Sequence, residues 1–159
     1  MKKRKIASFF LLVSILLISQ VSQAYDPEYL NEVVGRKAVS LGDGCELIMY
    51  LLHLEDEYPT FEAQMDFLKK NHLAKGSSAA KPANTPLRRA ELAYMLGKAL
   101  RLKGGLKARL FGWNERFAME ELIHQGIMRE GHGADLVTGQ ELVVITTRAA
   151  EHMAGRMKR

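Results

Sequence analysis

The feature that most limits what this chain can fold into is internal to it. Three stretches of the 159 residues align: VSLGDGCELIMYLLHL (39–54), LRRAELAYMLGKALRL (87–102) and VTGQELVVITTRAAEH (137–152). Each opens on an apolar residue (Val39, Leu87, Val137) and carries an acid four positions later, so that Asp43, Glu91 and Glu141 recur 48 and 50 residues apart. Behind the acids run Leu47, Leu51 and Leu54, then Leu92, Met95, Leu96 and Ala99, then Leu142, Ile145, Ala149 and Met153. That is the i, i+3, i+4, i+7 stripe of an amphipathic helix.

A second pair, AQMDFLKKNHL (63–73) and FAMEELIHQGI (117–127), sets Met65 against Met119, Asp66 against Glu120 and Leu68 against Leu122. The recurring unit is therefore helix, loop, helix, with the first copy (39–54) partial and the others spanning 61–102 and 115–154. One helix pair cannot bury its own apolar face, so neighbours must stack. Val143 to Thr147, taken alone, favour a strand, but their counterpart YMLGK favours helix. The linkers AKGSSAAKPANTP (74–86) and KGGLKARLFGW (103–113) supply Pro, Gly and small polar residues where helices should end. The expected architecture is a compact all-α domain with few or no strands.

The recurrent acid has a local use. Thr138 and Glu141 have capping-box spacing, in which the hydroxyl accepts from the backbone three residues on and the carboxylate reaches back to the cap residue's N–H. Ser40 and Asp43 repeat it with a shorter acid. In the middle copy Arg88 replaces the hydroxyl residue, and Thr85-Pro86 upstream offers another helix start.

The middle unit, FEAQMDFLKKNHLAKG followed by TPLRRAELAYMLGKALRL, resembles the S-layer homology domain, whose second helix opens with Leu-Thr-Arg-Ala-Glu. Leu87, Arg89, Ala90 and Glu91 match, with Arg88 in place of Thr; the third copy keeps Val137, Thr138 and Glu141 with Gly139 at the Arg position, and the first keeps Ser40 and Asp43 with Leu41 there. The resemblance covers residues 39–154. It implies a helical module, used in sets of three, that holds exported proteins on cell-wall polysaccharide or peptidoglycan. It also implies that the motif Arg helps bind an anionic sugar polymer in grooves between copies, a role that only Arg89 carries across.

The N-terminus, MKKRKIASFFLLVSILLISQVSQA, has a basic start, 13 apolar-rich residues from Ile6 to Ile18, and small residues at Ser22 and Ala24. That is the layout of a secretory signal peptide. The apolar run is shorter than the roughly 20 residues of a bilayer span, so cleavage after Ala24 is expected, leaving one domain over 25–159 with no transmembrane span. The expected location is the periplasm or cell envelope of a bacterium, which makes nucleic acid a poor partner. Cys45 is the only cysteine, so no intrachain disulfide forms; it reads as a small buried hydrophobe, or more sharply as a nucleophile or an intermolecular partner.

Charge is segregated along the chain. Residues 38–68 hold seven acids and no Lys or Arg, while 87–114 hold seven bases against Glu91. The basic stretch could face an anionic glycan, lipopolysaccharide or phospholipid headgroups, or the two halves could simply face each other or stay solvated. Phe111 and Trp113 beside Lys107 and Arg109 could stack on a sugar, sit at a membrane surface, or plug the end of a unit. The expected contact surface is Arg88, Arg89, Lys107, Arg109 and Trp113, with Ser40, Asp43, Glu91, Thr138 and Glu141 organising helix starts.

No reaction is named. His53, His72, His124, His132 and His152 show no metal-ligand spacing, and neither a nucleophile elbow nor a phosphate-binding or dinucleotide-binding loop is present. Glu55, Asp56 and Glu57 read as a solvated loop before they read as a carboxylate pair. The expected function is a non-catalytic envelope module without cofactor or metal that binds wall glycan. The alternative is a protein–protein interaction module whose acidic first copy engages a basic partner, and an unrecognised hydrolase stands third.

Overall fold

The computed structural model describes residues 32–157; the expected signal peptide lies outside the described residues. From Glu32 onward the chain forms one compact unit. Its helices are α1 (Leu41–Leu52), α2 (Phe61–Lys70), the single turn α3 (Gly76–Ala79), α4 (Arg89–Ala99), α5 (Leu106–Phe111), α6 (Glu115–His124) and α7 (Gly139–Met157). The fold is all-α: among the described residues there is no strand, only the isolated bridges Ser40 to Pro86 and Arg88 to Leu136. None of these helices is long and apolar enough to cross a membrane.

Val143 to Thr147 are helical, inside α7. The Thr146 and Thr147 hydroxyls donate to the carbonyls of Leu142 (2.7 Å) and Val143 (3.0 Å), which satisfies the polar groups of β-branched residues on the helix itself. Tertiary burial supplies the rest, since Ile145 and Ala149 on the same helix are essentially inaccessible. The core is built from the apolar stripes: Leu47, Ile48 and Met49 on α1, Leu92, Met95 and Leu96 on α4, with Leu68 and Leu122 from the shorter helices. Helix α1 packs on α2, α4 and α7, and α4 packs most extensively on α6.

The three aligned segments meet at their first residue. The Val39 N–H donates to the Val137 carbonyl (2.9 Å), Val137 donates to Leu87 (3.0 Å), and Leu87 donates back to Val39 (2.9 Å). All three side chains are buried, and buried backbone groups must find partners; this ring pairs them without a sheet. A second layer repeats the pattern outward. Leu41 and Gly42 donate to Thr85 and Ala83, Arg89 and Ala90 donate to Asp135 and Gly133, and Gly139 donates to Arg36. Each long helix thus starts against the chain that leads into another.

Helix ends correspond as well. The Leu54 N–H reaches the Met49 carbonyl and the Leu102 N–H that of Gly97, both at 3.0 Å, across His53 and Arg101 in the left-handed region (φ 56° and 52°). The short helices end likewise, Leu73 to Leu68 and Ile127 to Leu122, across His72 (φ 57°) and Gly126 (φ 70°). These six-to-one bonds are Schellman closures, which satisfy carbonyls that the last helical turn leaves open.

Candidate functional site

Each of the recurrent acids accepts a base. Asp43 completes a full capping box with Ser40, whose N–H donates to Oδ2 (2.7 Å) and whose Oγ accepts from the Asp43 N–H (3.1 Å). Its other oxygen takes Arg36 Nη1 at 2.8 Å, and the carboxylates of Glu32 and Asp43 together raise the pKa of Arg36. In the other two copies the capping expectation needs correcting. Arg88 caps α4 with backbone only, and Glu91 is turned to Lys81 Nζ and the Ser78 hydroxyl, pinning α3 against α4. Thr138 Oγ1 does accept from the Glu141 N–H (3.2 Å), but the Glu141 carboxylate accepts from Arg89 Nη1 instead of reaching back.

Arg89 therefore joins two aligned segments. It opens α4, its partner Glu141 opens α7, and its Nη2 donates to the Arg129 carbonyl in the loop after α6. The side chain is 9% exposed, and its Nε, fully buried, has no hydrogen-bond partner. A guanidinium is always charged and presents five donors; here Nη1 and Nη2 are engaged and Nε is left unpaired in the interior. Arg89 lines a cavity of about 340 Å³ whose polar lining also includes Arg129, Gln140, Glu141 and Arg148, with Val144 and Ile145 on its apolar side. Arg148 donates to the Gly126 carbonyl at 3.1 Å. Three guanidinium-bearing residues against Glu130 and Glu141 leave the lining positive by one.

The five residues expected to form one contact surface are not gathered together. Arg88, next to Arg89, is exposed and lines a separate cavity of about 330 Å³ with Lys81, Glu91 and Glu115. Lys107 and Arg109 belong to α5, where Arg109 is exposed. Trp113 takes the plugging role: its ring packs on Gly97 of α4 so closely that a Cβ at 97 would collide with it. Its indole Nε1 is buried without a partner, and the residue as a whole is half-buried. Arg89 itself is buried, and reaches a ligand only from within its groove.

Arg129 and Arg148 are the residues that sequence reasoning missed. Arg148 was within reach of it, because Glu141, Val144, Ile145 and Arg148 fall on one helical face. Arg129 stands in a loop with no periodicity to mark it. Cys45 is inaccessible in the core, and burial pushes its thiol up to about 12, so it stays protonated and unavailable as a nucleophile. The 131–135 loop closes on itself, with the His132 N–H donating to Asp135 Oδ2 (2.9 Å) and the Ala134 N–H donating to His132 Nδ1 (3.2 Å). No cluster of three or more His, Cys, Asp or Glu that could hold a metal occurs among the described residues.

No protein-family model, curated protein or solved structure matches the chain.

Proposed function

We propose that the protein is an exported, non-catalytic module of the bacterial cell envelope that binds an anionic wall polysaccharide or peptidoglycan in the groove between the starts of α4 and α7. The observation that carries this reading is Arg89, nine-tenths buried, ion-paired to Glu141, and left with an unpartnered Nε beside a cavity that Arg129 and Arg148 also line. A sugar polymer carrying carboxylate groups, free or on a ketal, offers planar oxygen pairs to guanidinium forks and an apolar ring face to Val144. The resemblance of residues 39–154 to S-layer homology domains supports the same ligand class, and the signal-peptide-like N-terminus supports the location. Leu41 and Gly139 at the Arg position of the other copies confine the proposed site to this one groove.

Co-sedimentation of the chain from residue 25 with purified sacculi and their attached polysaccharide tests it. Binding should fall as salt rises, since the attraction is screened over about 10 Å at 0.1 M. Arg148→Gln removes one lining charge and should weaken binding by about fivefold, the equivalent of about 1 kcal/mol. Arg89→Lys keeps the charge but loses the fork, and should weaken it further. Arg89→Ala is the poorer test, because an unpaired Glu141 in a mostly buried site costs about 3 kcal/mol of stability by itself. A helical, folded protein that stays in the supernatant at low salt would refute the reading.

A second reading is a protein-interaction module. Glu55, Asp56 and Glu57 are all exposed in the loop between α1 and α2, followed by exposed Glu62 and Asp66 on α2, a surface suited to a basic partner. Capture of a basic protein that survives Arg148→Gln and is lost on charge reversal at 55–57 would favour it.

A further inference from the structure

The six residues of α5 bury little and expose much. Leu106, Leu110 and Phe111 are 72%, 69% and 76% exposed, and no other large apolar side chain among the described residues exceeds 44%. An α-helix turns about 100° per residue, so Leu106 and Leu110 share a face, while Ala108 lies on the opposite one. Ala108 is the buried residue of α5, so its small residue faces the protein while Leu106 and Leu110 face away, and Phe111, nearer the Ala108 side by this spacing, is exposed at the helix's last position. The chain enters and leaves α5 through Gly104 and Gly112, both at positive φ (66° and 82°), which lets so short a helix stand off the body.

The charge around it is of one sign along the chain. From Leu92 to Asn114 there are five basic residues and no acid, and Arg101, Lys103 and Arg109 are all exposed. The acids near α5 in space, Glu120 and Glu121, belong to α6 and line a cavity with Leu106, Ala108 and Phe117, so the apolar residues furthest from α6 acids are Leu110 and Phe111. Concentrated exposed apolar surface marks an interaction site. Leu and Phe projecting between Lys and Arg is the pattern of a segment that lies in the lipid interface.

We propose that α5 is a membrane-seating foot: Leu106, Leu110 and Phe111 enter the headgroup–acyl boundary of an anionic bilayer, and the exposed Lys103 and Arg109 beside them meet its phosphates. The foot shares no residue with the Arg89 groove, so its occupant and the wall glycan are independent. A helix of about 9 Å reaches no deeper than the interface, so the attachment is peripheral and reversible.

Flotation of the chain from residue 25 with phosphatidylglycerol-containing vesicles, and separately with pure phosphatidylcholine vesicles, tests this; the compact unit beginning at Glu32 contains its own core. The chain should float with the anionic vesicles and not with the neutral ones. The combined substitution Leu106→Ser, Leu110→Ser, Phe111→Ser should weaken the association at least about tenfold while leaving helical circular dichroism unchanged, because all three side chains are exposed. Failure of the folded chain to float, or flotation unaffected by the triple substitution, overturns the proposal. So does a dimer in sedimentation velocity that the same substitution dissolves, which would assign the patch to a second copy.

Discussion

Gly139 is where a single side chain would do most damage. The aligned positions hold Leu41 and Arg89, and in the resembled domain this is the Arg of the motif, yet here a Cβ would be driven into the backbone carbonyl of Val33. The chain before α1 lies over the start of α7 at this point, with Val33 itself buried and the Gly139 N–H donating to the Arg36 carbonyl at 3.0 Å. The space a side chain at 139 would need is thus filled by backbone from the other end of the compact unit. Backbone cannot step aside as a side chain can, so Gly139→Ala should cost about 2–4 kcal/mol in urea unfolding. Gly155, on the same helix, is the control, because a methyl group added there would meet nothing within 4 Å. Gly155→Ala should stabilise by up to about 1 kcal/mol through helix propensity.

At the scale of elements, the Schellman closures carry the next prediction. Left-handed backbone suits glycine and costs an L-residue roughly 1 kcal/mol, and of the corresponding residues His72 and Gly126 only the second is glycine. His72→Gly should therefore raise stability by about 0.5–1 kcal/mol and Gly126→His lower it by a similar amount, read as opposite shifts of the urea midpoint at unchanged slope. The loop glycines marked helix ends from sequence alone, but the left-handed histidines and Arg101 did not announce themselves. Their conformation is imposed by the need to close the helix and turn the chain, which overrides a modest local penalty. The recurrent acids show the same limit. Ser40 and Asp43 are a local device and were legible as one; the partners of Glu91 and Glu141 are Lys81 and Arg89, and the second pairing spans 52 residues.

At the scale of the molecule, the ring through Val39, Leu87 and Val137 closes the three aligned segments on one another. In an open stack of repeats each unit touches only its neighbours and an end unit can be removed. Here the last segment bonds both earlier ones, so ending the chain at residue 136 should abolish cooperative folding altogether. The full chain should unfold in one transition, with far-ultraviolet circular dichroism and the fluorescence of Trp113 coinciding; a truncated chain that kept its own sharp transition would contradict the closed ring. Helical class, the apolar stripes and the positions of the long helices were determined by the sequence alone, because a 3.6-residue period and a capping pair are short-range properties. Which base meets which acid, that Trp113 faces inward while Leu106 and Phe111 face out, and that Arg89, Arg129 and Arg148 share a groove were decided only by tertiary structure. Those depend on which segments the backbone ring brings together, and no periodicity along the chain records a contact between residues fifty positions apart.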